Sequence, residues 1–430
     1  MSRRIQCVYR NNDAIDCEAM RAVEDMNLRV SEDIGRLAAQ VLKKMIDKKE
    51  KDVFASLPLP EKNYLISKTL VLPSNFKLIL PRFAEIKLAD GANCLMVRNQ
   101  MVSDYAERLP GDLNDLCKHF WYYVNEYSPE AVAQNIEISG GIWNFNNMNQ
   151  LPNPEQTKVL EPYGYTGEGM LFYAVKNLKL SYMTLKDPVH WGVLLDRVSY
   201  FTVEDITFDY NYGNPYAINM DGIHCSGNCH FGMIRNLKGA CYDDLVALNA
   251  HEGSRGPITN IEIDGIFAET CHSAVRLLTV KDDVKNIHIS NVYGTYYQYC
   301  IGFTKYYPGE TTGGYDGISI DHIYASKALR GSFYLWPNAY VYPFIYMQED
   351  IRGKNIKIAD MHRQEYNIPV ETIYVGKRAV IDNMVIDNVI TENHTDHVMP
   401  LIVQYGTVNR LVMNNIRTNG DPEIIGDDVK

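Results

Sequence analysis

Three aspartates carry the strongest chemical signal in the chain. Asp221 stands in NPYAINMDGIHCSG, and Asp243 and Asp244 stand in GACYDDLVALNA. The segments DGIHC (221–225), DLVAL (244–248), AVRLL (274–278) and CIGFT (300–304) read as one strand repeated on successive turns. That match sets Asp221 beside Asp244, with Asp243 at the edge. Like charges facing each other on paired strands are unfavourable. Crowded carboxylates also push their pKa values apart, so one tends to keep its proton. A fold has no need of such a cluster. Cleavage of a glycosidic bond does need one, because an acid must protonate the leaving oxygen while a carboxylate activates water.

Other side chains are candidates for contacts with a ligand. His251 and Glu252 in NAHEGSRG could add an acid or base at the edge of the cleft, or simply form a solvated turn. Tyr242 adjoins the aspartate pair, Tyr299 follows two turns later, and Trp191 lies on an earlier turn. Flat rings with a hydroxyl or N–H handle suit sugar faces, although Tyr is also simply a good strand residue. His224, Cys225, Cys229 and His230 form a close His/Cys cluster. Strand alternation puts His224 and Cys225 on opposite faces, which disfavours a shared ion. The sequence therefore predicts no metal and no cofactor, and His224 is grouped with the substrate-binding candidates.

The elements that would position these residues come from a repeat. The phrase Asn–apolar–any–apolar recurs as NIEISGG (135), NLKLSYM (177), NIEIDGI (260), NIHISNV (286), NIKIADM (355) and NMVIDNV (383), with YFTVEDI (200) and GISIDHI (317) lacking the Asn. One apolar position in each repeat gives the series Met183, Ile206, Leu237, Ile266, Val292, Ile323, Met361, Val389 and Ile416. Repeats of this length built from short period-2 segments predict stacked coils of a parallel β-helix. The Asn suits a corner that needs a left-handed backbone and a hydrogen bond to the next coil. Residues 13–49 instead space their apolar side chains helically, which predicts an α-helical cap over 1–52 closing the open solenoid end. The β-helix would then run over 53–430, with insertions near 100–133 and 325–350. The second of these, rich in Tyr, Trp and Pro, reads as a substrate lid or a contact in a homo-oligomer.

The aspartate motifs resemble those of the polygalacturonases, glycoside hydrolase family 28. NMDGIHCSG followed by YDDLVALNA is similar to that family's Asn-Thr-Asp-Gly and Asp-Asp motifs, ISGGIWNFNN (138–147) to its Gly-Gly element and HSAVRLLTV to its Gly-Ile-Arg-Ile-Lys strand. The resemblance implies an all-β, right-handed parallel β-helix of the pectin-lyase type and an inverting glycosidase. It implies Asp243 as general acid, Asp221 and Asp244 as activators of water, and Arg276 as a substrate ligand. The chain departs from the pattern in three places. Met220 replaces the Thr, Leu278 replaces the Lys expected to bind a uronate carboxylate, and no Gly-His-Gly follows the aspartate pair, His251 being the nearest histidine.

Composition narrows the partners. The 430 residues carry 42 Lys and Arg against 53 Asp and Glu, a net charge of −11. An acidic chain is a poor match for a phosphate backbone, so a nucleic-acid partner is not expected. No apolar run is long enough to span a membrane. The first residues lack the apolar core of a secretory signal, and the nine Cys are odd in number and scattered, so the expected setting is the cytoplasm. The expected partner is a carbohydrate. A β-helix lyase, a fructan-type transferase and a non-catalytic glycan-binding solenoid remain the alternatives.

Overall fold

A computed structural model describes residues 6–9, 53–56, 63–102, 132–152, 167–307, 309–329 and 342–426. The expected cap over 1–52 lies outside these residues apart from Gln6–Tyr9, an extended strand paired antiparallel with Val53–Ser56. Most of the 100–133 insertion and the middle of the 325–350 insertion lie outside them as well. The described residues are almost entirely strands and turns, with one short 3-10 turn at Asn147–Asn149. None of their helices is long and apolar enough to cross a membrane. They divide into two compact units, with the boundary at Pro215 and Tyr216.

In the first unit, Phe76–Ile79, Ala133–Ser139, Val175–Ser181 and Ser199–Asp209 pair in parallel. A second parallel set joins Leu70–Leu72, Val97–Asn99, Met170–Tyr173 and Val193–Asp196. Strand alternation turns Leu78, Ile138, Leu180 and Val203 inward as one buried column.

The second unit repeats this plan with longer strands. His230–Ala240, Ile258–Cys271, Val284–Tyr296, Tyr315–Lys327, Arg352–Glu365, Val380–Asn393 and Thr407–Thr418 pair in sequence, each parallel to the next. Parallel pairing of non-consecutive strands in two sheets is the topology of a β-helix, and it is consistent with right-handed winding. The apolar series read from the sequence forms one column here. Leu237, Ile266, Val292, Ile323, Met361, Val389 and Ile416 are successive partners, all buried but the last.

The repeated Asn does two jobs at the corner. Asn135, Asn177, Asn260 and Asn286 have φ of 56°, 64°, 58° and 54°, the left-handed region that Asn tolerates. Their side-chain amides then bond from coil to coil, Asn177 to Asn135 at 2.7 Å and Asn286 to Asn260 at 3.0 Å. Asn355 and Asn383 keep the ladder without the left-handed turn, at 3.4 Å. Gly294 marks a bulge between Ala268 and Cys271, where a Cβ would fall 1.6 Å from the Ala268 carbonyl oxygen.

Candidate active site

A second parallel set in the second unit carries the aspartates: Ile223–Cys225, Asp244–Asn249, Ser273–Leu278 and Ile301–Thr304. Ile223, Val246, Val275 and Ile301 form its inward apolar column. Ile223 pairs with Val246, so Asp221, two residues earlier, is level with Asp244. Asp244 pairs with Ser273, and Ser273 is in turn level with Tyr299. The match of DLVAL to AVRLL made in the sequence is therefore one residue out, since 244–248 lies beside 273–277. A slip of one residue exchanges the two faces of a strand. In the observed register Arg276 is beside Ala247 and in line with His224, and Ser273 rather than Ala274 meets Asp244.

Hydrogen bonds lock this column. Asp221 Oδ1 accepts the Asp244 backbone N–H at 3.3 Å, and its Oδ2 lies 2.7 Å from His224 Nδ1. Asp244 accepts from the Ser273 hydroxyl, from Tyr299 OH at 3.3 Å and from Arg276 Nη1 at 3.3 Å. Arg276 also donates to Thr304 Oγ1 at 3.2 Å and sits over the Tyr306 ring, 5.1 Å from its centroid. The side chains of Asp221 and Asp244 are 3% and 0% exposed, whereas that of Asp243 is 15% exposed. Asp243 is thus the carboxyl of the trio that solvent can reach.

Electrostatics sets Asp243 apart further. Burial pushes the Asp243 carboxyl well above the ordinary carboxylate range, and the charges of Asp244 and Asp221 push it the same way, against Arg276. Asp243 Oδ1 lies 3.5 Å from His272 Nδ1. Burial and the nearby cations Arg276 and Lys327 hold His272 down at about 3, so its imidazole is neutral across the physiological range. Burial and Asp244 raise the Tyr299 phenol, which stays a proton donor toward Asp244. The guanidinium of Arg276 loses solvation by burial, but Asp244, Tyr299, Glu252 and Asp243 outweigh that loss and raise it.

The remaining candidates fall into three places. Tyr242 is half-buried, one residue before Asp243. Glu252 is buried and faces His224 Nε2 at 3.3 Å, and it accepts from Asn249 and Tyr307 OH. Asp221, His224 and Glu252 thus form a carboxylate–imidazole–carboxylate chain. His251 Nδ1 lies 4.0 Å from Asp282 Oδ2. Trp191 belongs to the first unit, where it is buried and stacked on His190 at 4.4 Å. Leu278, at the position of the family's Lys, is wholly buried.

His272 and Ser273 were missed in the sequence because the histidine was sought within a few residues of the aspartate pair. The register places it a whole coil later, level with Asp243. Asp243, Asp244 and His272 offer ligand atoms within 4.8 Å of one another, a spacing a cation could bridge. The Arg276 guanidinium already supplies the counter-charge to Asp244 at that point.

No family model and no curated protein matches the chain. Solved structures do match in fold. A family 28 exopolygalacturonase of Yersinia enterocolitica aligns at 13% identity with a TM-score of 0.51, over 95% of this chain and 77% of that one. A hyperthermoactive exopolygalacturonase of Thermotoga maritima aligns at 15% identity and 0.52, over 93% and 91%. The Streptococcus pneumoniae surface protein and adhesin PfbA aligns at 10% identity and 0.50, over 94% and 99%. The chain has the β-helix fold that these enzymes and this adhesin share.

Proposed function

We propose that the protein is a glycoside hydrolase whose centre is Asp221, Asp243 and Asp244. The observation that carries this reading is the raised, partly exposed Asp243 carboxyl beside two buried aspartates. That carboxyl is driven to keep its proton, first by burial and then by the charges of its two buried neighbours. In this reading Asp243 protonates the oxygen of the leaving sugar. His272, neutral and 3.5 Å away, orients that carboxyl without adding a charge that would strip its proton.

The two remaining aspartates divide the other work. Carboxyl pairs that invert the anomeric centre stand about 6.5–9.5 Å apart, with a water between them. Asp243 and Asp244 approach more closely than that, within 4.8 Å. Asp244 is also held by Ser273, Tyr299 and Arg276. Asp244 therefore adds to the burial that keeps Asp243 protonated, and Asp221 activates water. Glu252 acts through His224 to hold Asp221 in place, so both are positioning residues rather than substrate ligands. Arg276, partly exposed over Tyr306, meets a hydroxyl or carboxylate of the sugar.

The test is a reducing-end assay on a panel of oligosaccharides and nitrophenyl glycosides, comparing the intact protein with Asp243→Asn. Turnover that vanishes in the variant is expected, and equal turnover would end the assignment. NMR of the first product anomer tests the division of labour. An inverted anomer is expected, and a retained one would make Asp244 the nucleophile. A second reading, a solenoid that holds glycans without cleaving them, is favoured by the complete burial of Asp244. Glycan affinity with no turnover, insensitive to Asp243→Asn, would identify it.

A further inference from the structure

The long-strand sheet of the second unit carries a groove on its outer face, away from the strands that bear the aspartates. Ile266, Val292 and Ile323 point into the core, so the residues after them point out. These are Phe267, Tyr293 and Tyr324, direct partners on three successive coils. Their rings stack at 5.0 Å and 3° and at 5.2 Å and 16°. Phe267 and Tyr324 are nevertheless 44% and 43% exposed, and Tyr366, on the next coil, is 60% exposed. Large rings left this open side by side on one face mark a binding surface more often than scattered single ones do.

Beside the rings runs a polar column. Glu269, Thr295, Ser326 and Gln364 line the same 570 Å³ hollow, which is within the usual range for a small-ligand site. Two of the polar side chains, Thr295 and Gln364, are held before any ligand arrives. Thr295 Oγ1 accepts the Thr270 N–H at 2.8 Å, and Gln364 donates to Glu392 at 2.7 Å. Tyr366 is braced by stacking on His394 at 4.4 Å and 7°. The lining holds one carboxylate, Glu269, one imidazole, His362, and no Lys or Arg.

We infer that this groove is a second, non-catalytic site for a neutral oligosaccharide. An apolar wall beside hydroxyl, amide and carboxylate groups matches a molecule with C–H surfaces and a rim of hydroxyls. The coil rise of about 4.8 Å presents one such set of groups per coil, close to the length of one sugar unit, so the chain lies along the stack. The lining meets a uronate or sulfated chain with the Glu269 carboxylate and no Lys or Arg. The inference stands on these residues alone and does not depend on the reaction proposed for the aspartates.

The test uses the full chain carrying Asp243→Asn, so that ligands stay intact, on a printed array of neutral and acidic oligosaccharides. Hits are then titrated by calorimetry. A neutral ligand is expected, weakened about tenfold by Tyr324→Ala through loss of one ring contact and abolished by Ser326→Arg, which fills the groove. Arg276→Ala should leave it unchanged. Both groove substitutions are on the exposed face, and thermal unfolding checks each of them, so either variant alone can decide. The inference is overturned if no neutral saccharide binds, or if binding survives Ser326→Arg. Loss on Arg276→Ala overturns it too, by placing the ligand at the aspartates. A change of mass in light scattering on Tyr324→Ala, without glycan binding, would make the face a protein contact instead.

Discussion

Two columns of the second unit are made by the same register and have opposite characters. In one, Ile263, Ile289, Ile320, Ile358 and Ile386 stack in the core, each wholly buried. In the other, Asp221, Asp244, Ser273 and Tyr299 come level on adjacent coils, and the two aspartates are almost equally buried. Stacking like on like is cheap for Ile, since every added coil buries more apolar surface. For Asp it is costly, and the cost appears in the adjoining Asp243 carboxyl, which burial and the charges of Asp244 and Asp221 raise well above the ordinary carboxylate range. A solenoid thus copies stability along its length at low cost, and it can concentrate strain wherever one column changes residue type.

The largest effect that sharpens this contrast is on rate. Asp243→Asn should lower turnover about 10³-fold, the usual scale for losing a general acid. Its melting temperature at neutral pH should rise, because Asp243 must take up a proton on folding and Asn need not. A melting temperature that falls in the variant would contradict the raised Asp243 carboxyl. The pH profile follows in sign: activity falls as pH rises through the raised Asp243 value, so its basic limb lies above the ordinary carboxylate range. His272→Ala should displace that limb while a circular dichroism spectrum stays unchanged.

The apolar column breaks differently. Ile289→Ala should cost about 3 kcal/mol of stability, the middle of the range for a buried Ile or Leu truncation, as measured by chemical denaturation. A cost near zero would mean that the coils tolerate a hole and that the column is not the frame of the site.

A smaller effect comes from a buried cation. Lys327 is wholly buried and donates to the backbone carbonyls of Tyr297, Gln298 and Tyr342, beside Tyr299. Burial, then Arg363, brings its amine down from 10.5 to about 7. Between those values the unfolded chain holds the proton more tightly, so this group's contribution to stability rises with pH. Lys327→Met should cost about 2 kcal/mol near pH 7 by leaving carbonyls unmet, and the cost should grow as pH rises toward 10.5. A cost that shrinks over that window would contradict the assignment. Smallest is Asn286→Ala, about 1 kcal/mol for one ladder amide, read from the shift in denaturation midpoint.

The sequence made one of these columns easier to see than the other. The apolar series from Leu237 to Ile416 was legible because each coil repeats a residue type at nearly constant spacing, and the structure keeps its members in one line. The Asn corners were legible for the same reason. The aspartate column changes residue type at every coil, so its register rested on short apolar matches. One of those slipped at Ser273, where the turn is a residue shorter than the match assumed. His272 was hidden by the same difficulty, since a neighbour in space one coil away is distant in sequence. Lys327, Arg363 and Glu365, three charged groups buried together, gave no periodic signal at all.

Stacked coils raise the Asp243 carboxyl well above the ordinary carboxylate range. An infrared difference spectrum of the intact protein against Asp243→Asn at pH 7 tests it directly. The account predicts a protonated carboxyl band that disappears in the variant. A difference spectrum containing only carboxylate bands would contradict it.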